Sequence, residues 1–174
     1  MSQSVDVEGM RLTMPTGWWA WKYDDSDFHL GQFQSFTGGA RAVDVVALEP
    51  NHTLWLIELK DYRHNRRRKP SSVFDEVAGK VRDTLAGLAV ARVRATKPQE
   101  RSLASQALNC MEIRVVLQLA QSGKPHRLFP QVVDPLDGAL QLKRAVKQVD
   151  SAPILAAGSV SAQNAKLPWN TAQI

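Results

Sequence analysis

Hydrophobic and polar positions follow two rhythms along the chain. The first half favours a period near two. Residues 28–36 (FHLGQFQSF), 41–48 (RAVDVVAL) and 54–60 (LWLIELK) each predict a strand. The turn chemistry at 37–39 (TGG) and 49–53 (EPNHT) makes these three an antiparallel meander. After residue 70 the period lengthens. Val73, Val77, Val81, Leu85 and Leu88 lie on one face of a helix running to about Arg92, with Ser71 or Ser72 as its cap. A short second helix is expected over 100–109, and a buried strand over 112–120 (EIRVVLQLA). Asp134-Pro135 predicts a helix entry, with Leu136, Leu140 and Ala145 as its apolar face up to about Val149. Residues 153–157 (PILAA) are a candidate last strand, and 158–174 a docked or frayed tail. Residues 1–16 show no clear period. The order β-β-β-α-β-α-β implies an α/β fold: a mixed sheet with an antiparallel meander and flanking helices.

Composition narrows the class. The chain has 174 residues, 44% of them apolar, which suits one globular domain over residues 1–174. No apolar run reaches the roughly 18 residues of a membrane span. The single cysteine, Cys110, excludes a disulfide framework and a cysteine zinc site. The first ten residues carry Asp6 and Glu8 and lack an apolar stretch, so no secretory signal is expected and the expected location is cytoplasmic. Net charge is +5, compatible with a polyanionic partner. Trp18, Trp19, Trp21 and Tyr23 form an aromatic knot, expected to pack one end of the core rather than to stack on bases.

The chemistry-bearing stretch is Ala42 to Tyr62 (AVDVVALEPNHTLWLIELKDY). Residues two apart in a strand share a face, so Glu58 and Lys60 project together. If 49–53 is a five-residue hairpin loop, Leu48 faces Leu54 and Asp44 faces Glu58. A one-residue slip would instead put Asp44 opposite Ile57 and send the two acids to opposite faces. The tight alternative needs Pro50 at a positive φ that proline cannot adopt, so the five-residue loop is expected. Two carboxylates facing each other in an apolar sheet repel, and a hard divalent cation between them removes that cost. Lys60, one step along, is placed to hold a phosphate or a water beside it.

This arrangement resembles the PD-(D/E)XK nuclease superfamily, with its restriction-endonuclease-like fold. Asp44 matches the family's Asp on the second core strand, and Glu58-Leu59-Lys60 matches the acid-x-Lys triplet on the third. The helix at 73–92 and the strand at 112–120 fall where the family has its next elements, and the likeness covers roughly residues 28–120. It implies Mg2+ (or Mn2+) held by Asp44, Glu58 and the main-chain carbonyl of Leu59, with Lys60 orienting the attacking water. The activity implied is metal-dependent cleavage of a phosphodiester, of DNA in preference to RNA. Two departures stand out. Val43 occupies the position of the proline in the family's name, and no first helix with its acid is evident; Asp24 and Asp25 are the clustered acids upstream.

The basic run Arg63-His64-Asn65-Arg66-Arg67-Arg68-Lys69 follows the motif directly. Arg63, Arg66, Arg67, Arg68 and Lys69 are candidate phosphate contacts, or else a solvated loop. Lys80 lies on the shoulder of the apolar helix face, where it leans toward the cleft or snorkels. Without a separate recognition domain, specificity would fall to loops, a homodimer or a partner protein. Two alternatives remain open at this level: an inactive nuclease-fold protein that binds nucleic acid or a protein, and an interaction domain whose Asp44, Glu58 and Lys60 are surface charges.

Overall fold

The computed structural model describes residues 2–63, 71–122 and 132–174. Among these residues there are eight strands in two sheets, flanked by helices. Strands β1 (Ser4–Val7) and β2 (Met10–Thr13) form a hairpin, and β8 (Asn170–Gln173) joins the other edge of β2. The larger sheet has the order β3-β4-β5-β6-β7, with β3 (Trp19–Lys22), β4 (Val45–Leu48), β5 (Thr53–Asp61), β6 (Glu112–Ala120) and β7 (Ile154–Gly158). Strands β3, β4 and β5 are antiparallel, while β5, β6 and β7 are parallel. Between β5 and β6 the chain crosses over through helices α1 (Val73–Arg94) and α2 (Pro98–Leu108); α3 (Pro135–Val146) links β6 to β7. A short α4 (Val160–Asn164) precedes β8.

The large sheet is buried on both faces, which is why β5 and β6 read as nearly continuous apolar runs. Val46, Leu54, Leu56, Leu117, Leu119 and Leu155 pack beneath the helices. Val45, Ala47, Trp55, Ile57, Leu59 and Val116 pack against the small sheet with Val5, Met10 and Leu12. Helix starts follow the expected chemistry. The Ser72 side chain accepts from Phe74 N, and Asp134 accepts from Leu136 N and Asp137 N with Pro135 behind it. Helix α1 runs two residues past the expected end, to Arg94.

Four readings of the first sixty residues are revised. Residues 28–36 are not a strand: His29–Phe33 is a π-helical turn and Phe36–Gly38 a short 3-10 turn. The Ser26 hydroxyl accepts from His29 N, and the Glu100 carboxylate accepts from Phe28 N, so side chains satisfy the backbone that a sheet partner would have satisfied. Residues 41–44 lie outside the ladder, and the strand begins at Val45. The unassigned start is a hairpin, turning at Glu8 (φ 51°) and Gly9 (φ 71°), both in the left-handed region that a tight hairpin turn demands. The aromatic knot is divided. Trp18 packs with Trp55 and Trp169, at ring-centroid distances of 5.5 and 6.3 Å, under the small sheet. Trp19 and Trp21 remain half-buried against the helix-side core.

The tail from 158 is docked by the β2–β8 ladder, by buried Leu167 and Trp169, and by one buried polar side chain. Gln118 Nε2 donates to Gln163 Oε1 (2.7 Å) and Thr171 Oγ1 (2.8 Å), while Trp169 Nε1 donates to Gln118 Oε1 (3.3 Å). Gln118→Ala should leave these groups without partners and cost about 2–4 kcal/mol, since each buried orphan costs about 1–3 kcal/mol. Amide exchange should quicken over 160–173 before the large sheet; unchanged exchange there would contradict this role for Gln118.

Candidate active site

The hairpin register decides whether the acids can meet. Leu48 pairs with Leu54 and Val45 with Ile57, so the next position out from the ladder sets Asp44 against Glu58. This is the expected register, and the slipped alternative is excluded; the loop itself is shorter than the expected 49–53, because Thr53 belongs to β5 and its carbonyl accepts from Glu49 N at 3.0 Å. Alternation then turns Asp44, Glu58 and Lys60 to the helix-side face shared by Leu54 and Leu56. On β5 the apolar pattern of that face breaks only where Glu58 and Lys60 enter.

Asp44 lies just beyond the end of β4 and is held from several sides. Its Oδ2 accepts from Leu59 N at 2.7 Å, and its main-chain oxygen accepts from Tyr23 N at 3.0 Å. In a strand, one residue's N–H and C=O point to the same edge. The Leu59 carbonyl therefore faces the Asp44 side of β5. Helix α1 holds the segment before Asp44: Arg41 N donates to Asp83 Oδ2, and Val43 N donates to Thr84 Oγ1, both at 3.0 Å. Thr84 is fully buried. Its sequence signal was a polar residue on the apolar face of the helix, four before Leu88 and three after Val81. Thr84→Val keeps the shape but strands the Val43 N–H. We expect a loss of about 1–3 kcal/mol in stability. The amide signals of Val43 to Val45 should shift in NMR spectra more than those of β7; equal shifts would dismiss the tether.

Glu58 is fully buried and Asp44 nearly so. Two ammonium groups meet them. Lys60 Nζ lies 2.7 Å from Glu58 Oε1. Lys80, from α1, places its Nζ 2.7 and 2.9 Å from the two Glu58 oxygens and 3.4 Å from Asp44 Oδ1. The side chain on the helix shoulder thus leans into the site, and the two acids are close enough for one ammonium to touch both. Burial, and then the Asp44 charge, push the Glu58 carboxyl up to about 7, against the pull of Lys80 and Lys60. Burial works against the charge of Lys60, yet Glu58 and Asp44 outweigh it and hold the ammonium above the ordinary lysine range.

Of the two upstream acids, Asp24 faces this cluster. Burial, then Asp44 and Asp25, raise its carboxyl to about 6, and its Oδ1 is buried without a hydrogen-bond partner. Asp25 is ion-paired with Lys22 on the surface. Asp24 follows β3 (Trp19–Lys22) closely, close enough to feel the Asp44 and Lys80 charges, but it makes no hydrogen bond to either.

Arg63 is committed within the molecule. Its guanidinium grips Asp61 at 2.6 and 2.9 Å and Gln173 Oε1 at 2.8 Å, fastening the end of β5 to β8. Arg66, Arg67, Arg68 and Lys69 lie outside the described residues. Among the described residues no group of three or more His, Cys, Asp or Glu side chains is placed to hold a metal by itself. Magnesium asks for less than that. It is commonly bound through one or two carboxylates and keeps several waters. Asp44, Glu58 and the Leu59 carbonyl supply hard oxygen donors of that kind.

No family model and no solved structure matches the chain. Over 104 residues it is 36% identical to a protein described as a cysteine–tRNA ligase from Neisseria meningitidis serogroup A / serotype 4A (strain DSM 15465 / Z2491). The matched stretch covers 55% of this chain but 15% of that relative, so the likeness is to a segment.

Proposed function

We propose that the protein is a metal-dependent nuclease of the PD-(D/E)XK type, with Asp44, Glu58 and Lys60 as its catalytic set. One observation carries the reading: Asp44, immediately before β4, and Glu58, on β5, are buried close enough for the Lys80 ammonium to touch both, with Lys60 beside them. The topology supports it as well. A three-strand meander, a crossover through α1 and α2, and a parallel β6 follow the order of the family's core. Asp24, whose carboxyl feels the Asp44 charge, is the candidate for the acid that the family draws from a first helix.

In this reading Asp44, Glu58 and the Leu59 carbonyl hold Mg2+ or Mn2+. Held by these residues, such an ion would supply Lewis acidity to the scissile phosphate and to a bound water. Lys60 remains protonated at neutral pH and donates to the attacking water or to the charge that builds on phosphorus. Water's oxygen forms the new P–O bond as its proton passes to a phosphate oxygen of the substrate or to solvent, and the ester P–O bond breaks as the leaving oxygen takes a proton from water. Burial excludes bulk water from the carboxylates and strengthens each of these contacts. The run at 66–69 supplies positive charge for the nucleic-acid backbone, with DNA as the first substrate to test.

The test is conversion of supercoiled plasmid to nicked circle by the whole chain, with Mg2+, with Mn2+ and with EDTA. Nicking that needs either metal is the expected result; none under both metals would overturn the proposal. A second reading has its own observation. The Lys80 and Lys60 ammonium groups together already balance the charge of the acid pair, which suits a nuclease-fold protein that binds nucleic acid without cutting. Salt-dependent plasmid binding without nicking would select it.

A further inference from the structure

We propose that Lys80 is the resident counter-ion of the Asp44–Glu58 pair, and that its ammonium and a divalent cation occupy this position by turns. The inference rests on the metal reading above and adds what governs entry of the ion.

All four oxygens of the two carboxylates are engaged. Asp44 Oδ2 takes the Leu59 N–H, and Asp44 Oδ1 takes Lys80. Glu58 Oε1 takes both lysines, and Glu58 Oε2 takes Lys80. The three contacts of Lys80 are with the oxygens that a cation seated between the acids would use. An ammonium and a divalent ion cannot both fill that space: their like charges would repel, and the donor oxygens are the same.

The two lysines differ in how they are held. Lys60 lies on β5, two residues from Glu58, and meets a single oxygen, so it can remain beside an incoming ion. Lys80 reaches in from α1, a separate element, and bridges both acids through three oxygens, although the two lysine side chains are almost equally exposed, 19% and 20%. It also has somewhere to go. Asp24 Oδ1 is buried without a partner, and the Asp24 carboxyl already feels the Lys80 charge. A displaced ammonium would pair there or turn out toward a phosphate of the substrate. Every binding event at the acids must then first separate Lys80 from them. The chain thereby keeps its acid pair neutralised without metal, and its affinity for metal is lower than two carboxylates alone would have.

Direct Mn2+ binding, read by electron paramagnetic resonance on the whole chain, tests the exchange. Lys80→Met should bind Mn2+ roughly ten-fold or more tightly than the wild type. Asp44→Asn combined with Lys80→Met should lose that gain. Equal or weaker binding by Lys80→Met would overturn the inference. If that variant does not fold, the wild type decides: acetylation of Lys80 by acetic anhydride, read by mass spectrometry, should rise when Mn2+ is added. A rate unchanged by Mn2+, with Mn2+ shown to be bound, would refute the exchange. The two proposals fail separately. A wild type that nicks while Lys80→Met gains no affinity refutes only the exchange. Tighter Mn2+ binding by Lys80→Met, with no nicking by either protein, refutes only the nuclease reading.

Discussion

Glu58→Ala is expected to lower plasmid nicking by about 10²–10³-fold or to background, in Mg2+ and in Mn2+ alike. Glu58 is the acid that every other member of the site touches. Lys60 bonds it, Lys80 bonds both its oxygens, and Asp44 faces it across the hairpin. Without its carboxylate, a cation loses one of two charged ligands and Lys60 loses the partner that aims it. Asp44→Ala should cost as much, because Asp44 also accepts the Leu59 N–H that sets the end of the hairpin. Lys60→Ala removes the proton donor and leaves both acids in place, so it should keep Mn2+ binding while nicking fails. Residues acting as one unit are not additive, and the Glu58→Ala/Lys60→Ala pair should be little worse than either alone. Thermal unfolding of each variant separates lost chemistry from lost fold. A folded Glu58→Ala that nicks at the wild-type rate would remove the carboxylate from the mechanism.

The hairpin was legible because its loop contains a proline. Pro50 forbids the tight two-residue turn, the register with Leu48 opposite Leu54 is left, and the facing of Asp44 and Glu58 follows by counting. The α1 start was legible from Ser72, and the α3 start from Asp134-Pro135, because capping is local chemistry. The misreadings share one cause: satisfaction of the backbone from far along the chain. Residues 28–36 alternate like a strand, yet Glu100, 72 positions away, accepts from Phe28 N and helps fix a helical turn. The first hairpin finds its third strand only at the other end of the chain, where Gln118 docks the tail. Four-residue strands carry too few positions for a period to be read. Lys80 was visible as a cation near the helix face. That it bridges two acids on different strands depended on how α1 lies across the sheet, which no local pattern encodes.

In EDTA, the stability of the protein should fall as pH rises from about 4.5 toward 7, and Glu58→Gln should flatten that fall. Burial, with Asp44 behind it, raises the Glu58 carboxyl from 4.5 to about 7. Between those values the folded state holds a proton that the unfolded chain has released. Stability therefore declines with pH across that window and levels off above it. One proton over such a shift corresponds to about 1.4 kcal/mol per pH unit, on the order of 3 kcal/mol in all. Asp24, raised by burial from 3.8 to about 6, acts in the same direction over a lower window. His29 opposes both. Burial and then Lys80 depress its pKa, so it is lost as a proton site on folding and stability gains as pH rises toward the ordinary histidine value. The wild-type curve alone mixes these groups, and the difference between wild type and Glu58→Gln isolates Glu58. Urea midpoints measured from pH 4.5 to 8 should converge at the acid end, with the variant more stable above pH 7. Parallel curves would mean that Glu58 titrates at its ordinary value, and that Lys60 and Lys80 compensate its burial in full.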